Sequence, residues 1–222
     1  MHYDTKTNRH GLKHDPFKAL VAPRPIGWIS TLSEKGIPNL APYSFFNAVG
    51  DQPPMVMFAS SGRKDSLTNI EQSGEFVCSL ATHALHNAMN MSSAPVRRGV
   101  NEFELAGLAS AASVFVKPPR VADTPAALEC RYWKTLPMPV PEGRAEPVYW
   151  VVFGEVVGIY IDDQYIRDGM FDTAAAQPLA RLGYMDYSVV SKESLFTLNR
   201  PLVGEDGISA TLVPGPWDGK YR

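Results

Sequence analysis

Nineteen prolines are scattered along the 222 residues. Proline removes a backbone donor and clashes with the preceding helical turn, which disfavours long uninterrupted helices. Runs rich in β-branched and aromatic residues fill the spaces between the prolines. They are IGWIST (26–31), LAPYSFFNAV (40–49), PMVMFAS (54–60), EFVCSLAT (75–82), SVFV (113–116), ALECRYWKTL (127–136), VYWVVFGEVVGIYI (148–161) and ESLFTL (193–198). Each reads as a strand. Four short segments read as helices: DPFKAL (15–20), SLTNIEQS (66–73), HALHNAMNMS (83–92) and NEFELAG (101–107). Many strands with turn signals between them predict a mainly β barrel or sandwich with a few short peripheral helices. PMPVPEGRAEP (137–147) reads as an exposed loop between the two longest strands.

With 45% apolar residues the chain can bury one substantial core. A net charge of −2 gives no general attraction to nucleic acid, and no apolar run reaches membrane-spanning length. The polar start of the chain lacks a signal segment, so the expected location is the cytoplasm. Cys78 and Cys130 sit in apolar contexts and read as buried free thiols. His10 and His14, and His83 and His86, lack further ligands at metal spacing, so no metal site is expected. There is no GxSxG elbow and no GxGxxG following a strand.

The stretch SSGRKDS, residues 60–66, lies where a strand ends and a helix begins. A helix start exposes unpaired N–H groups and a partial positive charge. Gly62 permits close backbone approach, Arg63 offers a fork, and Lys64 a point charge. Asp65 or Ser66 is the expected cap. These residues suit an anion seat, and are as compatible with a solvated turn. In NLAPYSFFNAV, Asn39, Ser44 and Asn47 interleave with Tyr43, Phe45 and Phe46, a pattern open to a core strand or to the wall of a flat aromatic ligand. In PRPIGWIST, two prolines hold Arg24 in an extended entry, and Gly27 marks a bulge or a close contact.

In this order, APRPIGWIST, NLAPYSFFN, DQPPMVMFASSGRKDSLTNI and GEFVCSLAT resemble the flavin reductase-like family of FMN-binding split barrels, which includes flavoredoxins and short-chain flavin reductases. The similarity continues through NEFELAGL, VFVKPPRVADTPAALEC, VVFGEVVGIYID and PLARLGYMDYSVV. It divides the chain into an arm (1–14), a split-barrel domain (15–200) and an extended tail (201–222). The resemblance implies a Greek-key split β-barrel, working as a homodimer with FMN near the subunit interface. It implies that Arg63, Lys64 and Ser66, with Ser60 and Ser61 beside them, hold the FMN phosphate. It sets Ala41, Pro42, Tyr43, Ser44, Phe45 and Asn47 against the isoalloxazine, with Ser30 and Thr31 flanking it. The implied activity is NAD(P)H-dependent oxidoreduction, with hydride passing to flavin N5 and electrons passing on to free flavin, an iron centre, oxygen, a partner oxygenase or an organic substrate. A non-catalytic FMN carrier, store or sensor is the alternative. Two positions depart from the family pattern: Ser66 replaces a usual threonine, and Tyr184 follows Arg181-Leu182-Gly183 where a second glycine is common.

Overall fold

The computed structural model describes residues 1–220. The fold is mainly β. Seven strands form one antiparallel sheet: β1 (Gly27–Leu32), β2 (Pro38–Tyr43), β3 (Phe46–Asp51), β4 (Pro54–Ser61), β5 (Glu75–Leu80), β6 (Ala126–Pro137) and β7 (Tyr149–Ile161). Their order across the sheet is β2-β1-β5-β6-β7-β4-β3. The two edges, β2 and β3, are consecutive in the chain and joined only by Ser44 and Phe45. A link that short forces the sheet to curl until its edges approach. Phe46 at the start of β3 lies so close to Gly27 in β1 that a Cβ there would stand 2.5 Å from the ring. The close contact read at Gly27 is therefore real, and its partner comes from the opposite edge. No β2–β3 pairing closes the ladder among the described residues.

The run 40–49, read as a single strand, breaks at Ser44–Phe45. The Phe45 carbonyl accepts from Ala59 N–H at 2.8 Å, turning the chain from β2 to β3. SVFV (113–116) is not a strand, because the amides of Val114 and Phe115 donate to the Glu129 carboxylate. ESLFTL (193–198) is not one either. Ser191 and Ser194 bond each other locally in a single 3₁₀ turn, Lys192–Ser194, and residues 195–200 are irregular.

Two of the helices are α1 (Phe17–Leu20) and α2 (Asp65–Ser73); inside the curl, Ile29, Phe58, Phe76 and Val152 pack with Leu67 and Ile70 of α2. The spacing of Leu67 and Ile70 places both on one helix face. A second cluster holds Ile26, Trp28, Leu40, Met89, Phe103, Val121 and Leu179. Trp28 is fully buried and its indole N–H donates to Ser92 Oγ at 2.9 Å. Burying side chains of this size contributes roughly 1.5–3 kcal/mol each. Cys78 and Cys130 are buried free thiols.

This unit ends at Val190, earlier than the boundary read at 200, and a second unit begins at Ser191. Within it, Leu202–Val203 pairs with Ala210–Thr211, and Asp206 Oδ1 accepts from the amides of Ile208 and Ser209. No helix among the described residues is long and apolar enough to cross a membrane.

Candidate functional site

A cavity of about 690 Å³ opens beside the β2–β3 link, a size suited to a cofactor or small ligand. One end is the 60–66 corner. Ser60 and Ser61 finish β4, and Gly62 takes φ +83°, a left-handed turn open to glycine. Lys64, extended, stands at the N-cap of α2 and gives no side-chain cap. The expected cap at Asp65 or Ser66 is therefore absent, since both lie inside the first turn. The amide N–H groups of Asp65, Ser66 and Leu67 find no protein acceptor. Lys64, Ser61 and Ser66 line the cavity beside them. The result is a positive helix end with donors to spare.

Arg63 and Ser60 do not reach the cavity. Arg63 turns outward and pairs with Glu71 on the outer face of α2. Ser60 is fully buried and donates to the Gly62 carbonyl at 2.8 Å, which fixes the turn. Asp65 does line the cavity, and Arg98 faces its carboxylate at 3.7 Å.

Along the middle run Ala41, Pro42 and Tyr43 at the end of β2, then Ser44 and Phe45 of the link. Tyr43 is 8% exposed, and its hydroxyl makes no hydrogen bond. Burial pushes that phenol's pKa up, despite the nearby Ser66 and Ser60 hydroxyls. Asn47 lies past the break, exposed, with its side chain folded onto the Ala48 amide. Ser30 and Thr31 are fully buried behind the wall. Ser30 Oγ donates to the Pro119 carbonyl. Thr31 Oγ1 donates to Asn39 Oδ1 at 3.3 Å and accepts from Asn69 at 3.0 Å.

Asn39 joins these residues to the corner. Its Oδ1 accepts from Ser66 Oγ at 2.9 Å, and its amide donates to Glu102 Oε2 at 2.9 Å. Glu102 also accepts from the Leu40 amide at 2.9 Å. Burial, with Asp65 nearby, raises the Glu102 pKa, and the bonds from Leu40 and Asn39 oppose that rise. Glu102 and Arg98 line the cavity, yet neither was named from the sequence as a site residue. Glu102 fell within NEFELAGL, read as a short helix and as part of the family resemblance, with no role assigned to it.

The far end is basic and aromatic: Lys18, Arg24, Arg181, Tyr184 and Tyr187. Arg24 is 6% exposed. Its Nη1 donates to the carbonyls of Lys18 and Val21, its Nη2 to that of Leu182 at 2.9 Å, and its Nε has no partner. Burial and the neighbouring Arg181 lower its pKa. His83 and His86 stack on each other away from the cavity, and among the described residues no three His, Cys, Asp or Glu side chains are placed to hold a metal ion.

Residues 20–180 match the family model of the flavin reductase like domain. The chain is 37% identical over 172 residues to an uncharacterized protein of Aquifex aeolicus, covering 74% of this chain and 83% of that one. Its structure is similar to that of 2-nitrobenzoate 2-nitroreductase NbaA of Pseudomonas fluorescens, with TM-score 0.78 and 26% identity over 92% of this chain and 100% of the other. It is also similar to nitrilotriacetate monooxygenase component B of Bacillus cereus, with TM-score 0.79 and 25% identity over 89% and 98%.

Proposed function

This chain belongs to the flavin reductase-like family and is a flavin-related redox protein; on that premise we propose that it binds FMN and carries electrons from NADH or NADPH to an acceptor. The observation that carries the reading is the corner. Three unpartnered amides, Lys64 and Ser61 converge on one end of a cavity of suitable size. A phosphate ester fits that chemistry, because charge-assisted bonds from N–H groups and an ammonium favour a dianion. Tyr43 and Phe45, with Ala41, Pro42 and Ser44, offer a flat wall for an aromatic ring next to it.

When bound, flavin supplies the redox chemistry, accepting a hydride and releasing electrons singly or in pairs. The chain's residues bind and orient it. Glu102 fixes Asn39, and Asn39 Oδ1 accepts from the Ser66 hydroxyl, so that O–H is committed to the protein and the donors left at the corner are the three amides, Lys64 and Ser61. Tyr43 stays protonated because burial disfavours the phenolate, so it adds an uncharged ring to the wall. No acid–base dyad is required for hydride transfer. We take the working form to be a split-barrel homodimer in the cytoplasm, and light scattering after size exclusion checks the stoichiometry.

The test is anaerobic. The FMN-loaded protein should lose its visible flavin absorbance under NADH or NADPH and regain it when an acceptor is added. Persistence of the oxidised spectrum under excess of both nucleotides overturns the reductase reading and leaves an FMN carrier or store.

A further inference from the structure

We propose that Arg24 and Arg181 form the seat for the oxyanion of a planar aromatic substrate, at the end of the cavity opposite the helix corner. The two arginines are directly opposite each other in a two-stranded ladder that pairs Arg24–Pro25 with Leu179–Arg181. Like charges in that position repel. A protein normally separates them or supplies a carboxylate. Here neither is done. The ion pairs among the described residues are Arg63–Glu71, Arg98–Asp65 and Arg167–Asp172, and none involves these two. Asp186 lies in the same turn as Arg181 and pairs with neither. Lys18 adds a further positive charge to this end.

Both guanidiniums are held in place. Arg24 is buried with three of its five N–H groups committed to carbonyls, and its buried Nε has no acceptor. Arg181 donates through Nη2 to the Tyr184 carbonyl and to Met185 Sδ at 3.5 Å, and its guanidinium lies 4.4 Å from the centre of the Tyr187 ring. Its Nη1 and Nε donors are left to bind a ligand. The 181–187 turn is clamped in turn. Arg24 bonds Leu182, Leu182 and Asp186 bond each other at 3.0 Å, and Gly183 is pressed against the Ala19 backbone. Tyr184 holds φ +54°, a left-handed conformation uncommon outside glycine, and its ring lies 5.7 Å from that of His14. Two fixed guanidiniums without a counter-ion match an oxyanion. The tyrosines at 184, 187 and 149, with Phe45, supply aromatic surface for a flat body attached to it.

This deepens the reading above, since the bound substrate would share the cavity with flavin, but it is testable apart from it. FMN affinity is measured first. The loaded protein is then titrated with benzoate, phenyl phosphate, benzamide and ADP-ribose, followed by calorimetry and by the flavin spectrum. Benzoate or phenyl phosphate should bind about tenfold or more tightly than neutral benzamide, and whichever binds tighter identifies the oxyanion. Arg181→Gln should abolish that preference and leave FMN affinity within about twofold, while Arg181→Lys should restore it only in part. Arg24→Gln should act the same way if circular dichroism shows it folded; Arg181→Gln decides the matter if it does not. Equal binding of benzoate and benzamide overturns the proposal. So does an FMN affinity that falls in step with Arg181→Gln, which assigns the arginines to the cofactor. Displacement by ADP-ribose that is lost in Arg181→Gln, with benzoate unaffected, assigns them to a dinucleotide and overturns it too. If FMN does not bind at all, the flavin reading fails, and benzoate against benzamide on the flavin-free chain still decides this one.

Discussion

The two ends of the cavity attract anions by different means. At the corner the attraction is largely backbone: unpartnered amides at the head of α2, with Lys64 as the cavity-lining cation in the motif. Its other local cations have protein counter-ions, Arg63 in Glu71 and Arg98 in Asp65. At the ladder the attraction is side chain: Arg24 and Arg181, in register and without a carboxylate. An amide seat is rigid and carries acids close by without losing its donors. A paired-guanidinium seat has its charge exposed to imbalance until something negative arrives. The corner suits a resident group, and the ladder suits a visitor.

The largest effect should come from undermining one end at its anchor. Leu67 is fully buried beneath the corner, so Leu67→Ala should cost about 2–5 kcal/mol in denaturant unfolding. FMN should weaken in that variant while it remains folded. Next, Lys64→Ala should weaken FMN by about 1.5–3 kcal/mol, the range for a bond to a charged group, and leave riboflavin almost unchanged. Equal losses for the two ligands would break the assignment of the corner to phosphate.

Much of the corner was legible because it is contiguous. Serines, a glycine and a cation in seven residues specify a strand end, a left-handed turn and a helix start with no long-range information. The ladder was not, because Arg24 and Arg181 meet only through strand pairing across most of the domain. Side-chain direction was the other obstacle. β1 is buried on both faces, so alternation did not show that Ser30 and Thr31 point behind the wall. The chain reversal at Ser44–Phe45 sends Asn47 onto the opposite edge strand, and no proline or glycine marks it. Arg63 and Lys64 are neighbours in sequence, but Glu71 draws one of them away.

A pH series sharpens the contrast through Glu102. Its pKa is raised in the folded chain, so its contribution to stability is fully present below the ordinary glutamate range and is lost as pH rises through the raised value. Glu102→Gln keeps an acceptor for Leu40 and Asn39 and should flatten that fall, read as Tm from pH 4 to pH 8. A wild-type Tm that climbs across the same window contradicts the burial argument. The smallest effect is expected at Arg63. Its exposed pair with Glu71 contributes about 0–1 kcal/mol, so Arg63→Ala should leave FMN affinity within about twofold. A loss matching that of Lys64→Ala would place both cations on the ligand.

The most direct test compares FMN with riboflavin, which differ only in the phosphate. Flavin fluorescence titration of the folded protein should give FMN binding at about micromolar or tighter and riboflavin at least about tenfold weaker, the separation that charge-assisted bonds at the corner provide. Equal affinities, or no uptake of FMN by a protein whose circular dichroism shows it folded, would contradict the account.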